Sequence, residues 1–178
     1  MKIVQHLSEA SIDALRAVIG RPVFQLLSRN LMLDRYGFGI SSGNFSIDLL
    51  ESQYCVVEGG WADTLRAGID YHFLSASLAD WPKHVGRLKD LERESYYQAY
   101  PSHIILPGGT FPVTSITVHT HAAEEGSEAV EYDHALVFTR SDGLRFALAA
   151  FSAWLTFTHD SETIDGVIST YPEQLCLD

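Results

Sequence analysis

The stretch from Val113 to Phe151 constrains the fold most. Val113 to Ala122 alternates apolar and polar residues, and so do Tyr132 to Thr139 and Leu144 to Phe151. A period of two lays alternate side chains on one sheet face, so each run reads as a strand. Ser141-Asp142-Gly143 separates the last two runs. Asp-Gly in that place predicts a tight hairpin with both turn residues at positive φ.

The rest of the chain adds more strands. Phe45, Ile47 and Leu49 alternate, and Tyr54 to Glu58 runs up to Gly59-Gly60, which predicts a second antiparallel hairpin. Ile69 to Leu78, His103 to Leu106 and Trp154 to Thr158 read as further strands. Val23 to Leu33 fits a strand or a helix, because Val23, Leu26, Leu27 and Asn30 keep helical spacing. Asp34 to Gly43 is punctuated by glycine and reads as a loop.

Helix signals cluster near the two ends. Ser8 can cap a helix carrying Ile12, Leu15, Val18 and Ile19, stopped by Gly20 and Pro22. Asp160 or Ser161 can cap another, with Ile164, Val167, Ile168 and Tyr171 on one stripe and Pro172 as its end. Val85, Leu88 and Leu91 at three-residue spacing after Pro82 predict a modest middle helix. The expected class is α+β: a mainly antiparallel sheet with an N-terminal and a C-terminal helix packed on it, one domain over residues 1–178.

Charge narrows the partners. The 178 residues carry a net −11, of which −2 falls in residues 1–102 and −9 in residues 103–178. Such an acid excess disfavours nucleic acid, whose binding needs Lys and Arg to displace counterions, and an anionic membrane surface. No segment has the ~20 apolar residues of a membrane span, nor the apolar core of a signal peptide, so a cytoplasmic protein is expected. Two cysteines, Cys55 and Cys176, are too few for a disulfide framework, although one bridge between them is compatible with the sequence.

Catalytic motifs are weak. Gly39-Ile40-Ser41-Ser42-Gly43 matches Gly-x-Ser-x-Gly, but a strand pattern follows where a nucleophile needs a helix. Gly108-Gly109 lacks the Lys-Ser/Thr of a phosphate loop, and neither cysteine sits in a thiol-catalysis motif. The leading expectation is therefore a non-catalytic binding protein without a cofactor. Its recognition surface would be Glu124, Glu125, Glu128, Glu131 and Asp133, with Tyr96, Tyr97 and Tyr100 as anchors. An immunity or antitoxin protein that neutralises a basic toxin is the type expected, and the β edges are compatible with homo-oligomers.

The alternative expectation is a metal site. His119-Thr120-His121 followed by Glu125 gives His-x-His-x3-Glu, with His159 in a later strand. This pattern resembles the metal motif of the cupin family. The resemblance implies a divalent transition metal held by His119, His121, Glu125 and His159, in a metal-binding protein or metal-dependent enzyme. Two glycine positions of that pattern are Val113 and Tyr132 here. Periodicity instead turns Ile116 and Val118 inward and His119 and His121 to water. His72 and His134 read as hydrogen-bonded structural residues.

Overall fold

The structure is a computed structural model. It describes residues 1–33, 39–64, 66–90, 95–99, 102–151 and 154–178, with the backbone alone for 86–90 and 95–99. The chain is mostly antiparallel β-sheet with two helices. In order it forms β1 (Lys2–Gln5), α1 (Glu9–Arg16), β2 (Pro22–Val23), β3 (Gln25–Ser28), β4 (Met32–Leu33), β5 (Ile40–Ser42) and β6 (Asn44–Asp48). Then come β7 (Tyr54–Asp63), β8 (Asp70–Ala79), β9 (Gly86–Asp90), β10 (Ser95–Ala99) and β11 (Ser102–Ile105). The last part is β12 (Phe111–Glu125), β13 (Glu128–Arg140), β14 (Arg145–Phe151), β15 (Trp154–Thr158), α2 (Ser161–Thr170) and β16 (Glu173–Leu177).

Nine strands make one sheet in the order β16-β12-β13-β14-β15-β5-β4, with β1 added on β13 and β2 on β12. Five make a second sheet, β11-β3-β6-β7-β8, and β9 pairs with β10 alone. The two larger sheets share one core. Leu26, Phe45, Ile47 and Val57 come from the second sheet, and Ile116, Leu136, Phe138, Phe146 and Leu155 from the first. Phe138 and Phe146 stack at 4.6 Å between centroids. Leu15 and Val18, in and just after α1, reach the same core. Ile164 of α2 packs with Val137 and Ala147 on the other face of the nine-stranded sheet. That sheet is therefore covered on both sides where α2 lies.

Local chemistry explains the helix starts. Ser8 Oγ accepts the Ser11 N–H at 3.2 Å, and Asp160 Oδ2 accepts the Thr163 N–H at 2.8 Å, so each cap satisfies a first-turn donor. α1 ends at Arg16, earlier than its apolar stripe predicts. The Val18, Ile19 and Arg21 N–H groups then bond three residues back, and Gly20 takes φ +76°. This tight turn frees Ile19 to bridge Val113.

Three expectations are corrected and one open reading is resolved. Among the described residues of the expected middle helix there is a strand: Gly86–Asp90 pairs with Ser95–Ala99, Leu88 opposite Tyr97. Three-residue spacing cannot separate a helix from a strand here, because Arg87, Leu88 and Lys89 also alternate. Leu91 and Tyr100 lie outside the described residues. Ile40–Ser42, read as loop, is a short strand on β15, with Ser41 Oγ 3.0 Å from Thr156 Oγ1. Val23 to Leu33, left open between strand and helix, contains β3, β4 and the end of β2. At the Ser141-Asp142-Gly143 hairpin only Gly143 takes positive φ, +85°. The Gly143 N–H bonds Arg140 O and the Arg140 N–H bonds Leu144 O, which is a turn of ordinary hand closed by one left-handed glycine.

Candidate functional site

One irregularity organises the charged half. His119 pairs with Ala135, but Thr120 pairs with Asp133, so His134 is an extra residue in β13. The bulge reverses the alternation of β13 relative to β12. Asp133 then shares a side with Thr120 and Val118, while Tyr132 shares a side with His119 and His121.

On the first side, Asp133 is a structural anchor. Its carboxylate accepts the Leu7 N–H at 2.7 Å, lies 2.9 Å from His6 Nδ1 and accepts Thr120 Oγ1–H at 3.3 Å. Glu128 is also buried. It accepts the Ala67 N–H at 2.7 Å and the Arg66 N–H at 3.3 Å, and these bonds, Ala67 first and with the Thr64 hydroxyl between them in weight, hold its carboxyl below the usual range. A continuous exposed acidic run is thus corrected: Glu128 and Asp133 face protein. Burial of a carboxylate needs such donors, and period-two reading does not reveal a donor 126 residues away.

What remains outside is a groove. The pairs Ala122–Glu131 and Glu124–Ala129 lie on one face, since directly paired residues and every second residue share a side. Lys2 of β1 lies beside Ala129. These residues, with Ala123 and Val130, line a depression of about 350 Å³. Its apolar lining is three alanines and Val130, and its charged lining is Glu124, Glu131 and Lys2. Lys2 Nζ lies 2.6 Å from Glu131 Oε2, and the Lys2 bond and charge lower the Glu131 carboxyl below its ordinary range. Glu124 is exposed and makes no ion pair among the described residues. Glu125, also exposed, pairs with Glu128 on the opposite face at the hairpin end. Tyr96 and Tyr97 stand in β10, on backbone alone.

On the second side, four histidines and two tyrosines gather. His121 lies 5.2 Å from Tyr132, 6.1 Å from His134 and 5.4 Å from Tyr171, ring to ring. His134 lies 4.1 Å from Tyr171 with the rings tilted by 37°, and His72 of β8 meets Tyr132 edge-on at 5.3 Å. His119 Nδ1 lies 3.0 Å from Tyr171 O and its Nε2 3.0 Å from Thr117 Oγ1. His119 is 2% exposed, which corrects the expectation that it faces water. Its face does point away from Val118, but Tyr171 at the end of α2 covers it. Burial pushes His134 down to about 4, helped by the nearby His121, His72 and His119. Burial also lowers His121 and raises Tyr132 to about 12, Tyr171 and Asp70 adding to the latter.

The ligand set implied by the cupin resemblance does not converge. Glu125 sits at the hairpin end, and His159 follows β15 and packs on Phe157. Among the described residues no three His, Cys, Asp or Glu side chains form a group able to hold a metal ion. The histidine cluster was missed because His72 and His134 each look ordinary in their own strands; only the pairing of distant strands assembles them. No family model, no curated protein and no solved structure matches the chain.

Proposed function

We propose that this chain is a non-catalytic protein-binding module that takes a lysine or arginine side chain of a basic partner in the groove between Glu124 and Glu131. The groove itself carries the reading. A long cationic side chain lays its methylenes along apolar surface and keeps its charged head at the edge. Ala122 and Ala129 supply that surface, and Glu124 supplies a carboxylate without a partner among the described residues. Glu125, on the opposite face at the end of the same hairpin, adds only to the longer-range negative potential. The −9 carried by residues 103–178 acts in the same direction over longer range.

An immunity or antitoxin protein, which neutralises a basic toxin by covering it, works by this kind of contact. A reducing cytoplasm suits the two unpaired thiols, Cys55 and Cys176. No helix among the described residues is long and apolar enough to cross a membrane.

The test is association kinetics with the partner recovered by copurification from the native host. Glu124→Lys with Glu125→Lys should slow association about tenfold or more, and added salt should slow the unmodified protein toward the same rate. An association rate that neither charge reversal nor salt changes would refute the reading.

A further inference from the structure

A second, unrelated cavity lies where the chain crosses between the two large sheets. Ser28 ends β3 in the five-stranded sheet, and the next strand, β4, belongs to the nine-stranded one. Ser42 ends β5 in the nine-stranded sheet, and Asn44 opens β6 in the other. The two crossings are tied together by the Ser28 and Ser42 hydroxyls, 2.5 Å apart. Between them opens a cavity of about 250 Å³, lined also by Arg29, His84 and Trp154.

Three observations mark it as built for a ligand. Asn44 is 7% exposed, yet its Oδ1 has no hydrogen-bond partner among the described residues. A buried acceptor left in that state costs about 1–3 kcal/mol, and native proteins rarely leave one without a use. His84 holds φ +57°, an unfavourable backbone for a residue with a Cβ. Its neighbour Lys83 is anchored, through its N–H to Ser46 Oγ at 3.0 Å and its ammonium to Glu58 Oε2 at 2.5 Å. Trp154 is 44% exposed, and its ring stands 4.0 Å from where a Cβ on Gly43 would be.

We infer that this cavity binds a small polyhydroxylated ring of monosaccharide size. The chemistry selects it. Inorganic phosphate suits Arg29, and its remaining P–OH can donate to Asn44 Oδ1, but it has no apolar face to lay on the exposed Trp154 ring. An apolar ligand leaves Asn44 unpaired. A pyranose meets all of the groups: a hydroxyl donates to Asn44 Oδ1, its oxygens accept from Arg29, and its C–H face lies on the Trp154 ring. Arg29 makes no ion pair among the described residues, so a sugar acid gains a further contact over a neutral sugar.

Saturation-transfer NMR on the full chain tests this with glucose and glucuronate, and 31P line broadening tests inorganic phosphate, each at about 10 mM, since a site this small is expected to bind in the millimolar range. Transfer to the ring protons of glucuronate, glucose or both is expected. Trp154→Ala should abolish it, and Asn44→Leu should weaken binding about tenfold, both with circular dichroism unchanged. Gly43→Ala, at a glycine of ordinary φ, should weaken it without touching any polar group. No transfer to either sugar, transfer that survives Trp154→Ala, or phosphate binding alone would overturn the inference.

Discussion

Asp133 accepts the backbone N–H of Leu7 at 2.7 Å, across 126 residues of sequence. The bond ties the segment between β1 and α1 to the bulge in β13, and His6 and Thr120 complete the carboxylate's partners. Asp133→Ala leaves the buried Leu7 N–H without an acceptor, so urea unfolding should show a loss of about 2–4 kcal/mol. Glu125→Ala, at the exposed hairpin end, should stay within about 0.5 kcal/mol. Equal effects at the two sites would contradict the assignment of Asp133 to structure.

The histidine cluster makes stability depend on pH. His134 is held down to about 4 in the folded chain, chiefly by burial, while the unfolded chain titrates at the ordinary 6.5. Below about pH 6.5 the unfolded state therefore binds a proton that the folded state refuses. Stability is intact above 6.5 and falls as pH drops toward 4, by up to about 3 kcal/mol from this residue. His134→Phe keeps a ring against Tyr171 and should flatten that fall in urea titrations at pH 7.5, 6 and 5. An unchanged slope would place the pH dependence elsewhere.

Arg140 is the largest buried side chain without sequence warning. It donates to Val23 O at 3.1 Å, Gly109 O at 2.9 Å and Pro107 O at 2.8 Å, and pairs with Asp142 at 2.5 Å. Arg140→Met strands three carbonyls and the Asp142 carboxylate, for an expected loss of roughly 3 kcal/mol or more in thermal or urea unfolding. Arg140→Lys should recover little, because one ammonium cannot reproduce the fork.

Cys55 is fully buried, and burial raises its thiol to about 12, whereas Cys176 is exposed in β16. A colorimetric thiol reagent should titrate one thiol in the native protein and two in denaturant. Slow reaction is expected at Cys176 too, since its own thiol is raised by burial and by Glu173 and Asp178. Two fast native thiols, or none in denaturant, would contradict this placement.

The strands of residues 113–158 were legible because their alternation and the Asp-Gly turn act locally. Ser8 was legible as a cap for the same reason, and the second cap was legible to within Asp160 or Ser161, of which the structure uses Asp160. The bulge at His134 was not, since no local rule reports which residue is left unpaired in a partner strand. That one residue decides that Asp133 turns inward and that Tyr132 joins His121. The acid excess was visible in composition, but composition cannot tell Glu124 lining a groove from Glu128 satisfied by backbone donors. The same limit hid Asn44, whose Oδ1, without a partner among the described residues, lies where two crossings between sheets meet.

The most direct test of the acidic groove is a residue-resolved NMR titration of the full chain with a short lysine-rich peptide. The account predicts amide shifts that centre on Ala122, Glu124, Ala129 and Glu131 and vanish in Glu124→Lys. Shifts spread evenly over the surface, or centred elsewhere and untouched by Glu124→Lys, would contradict it.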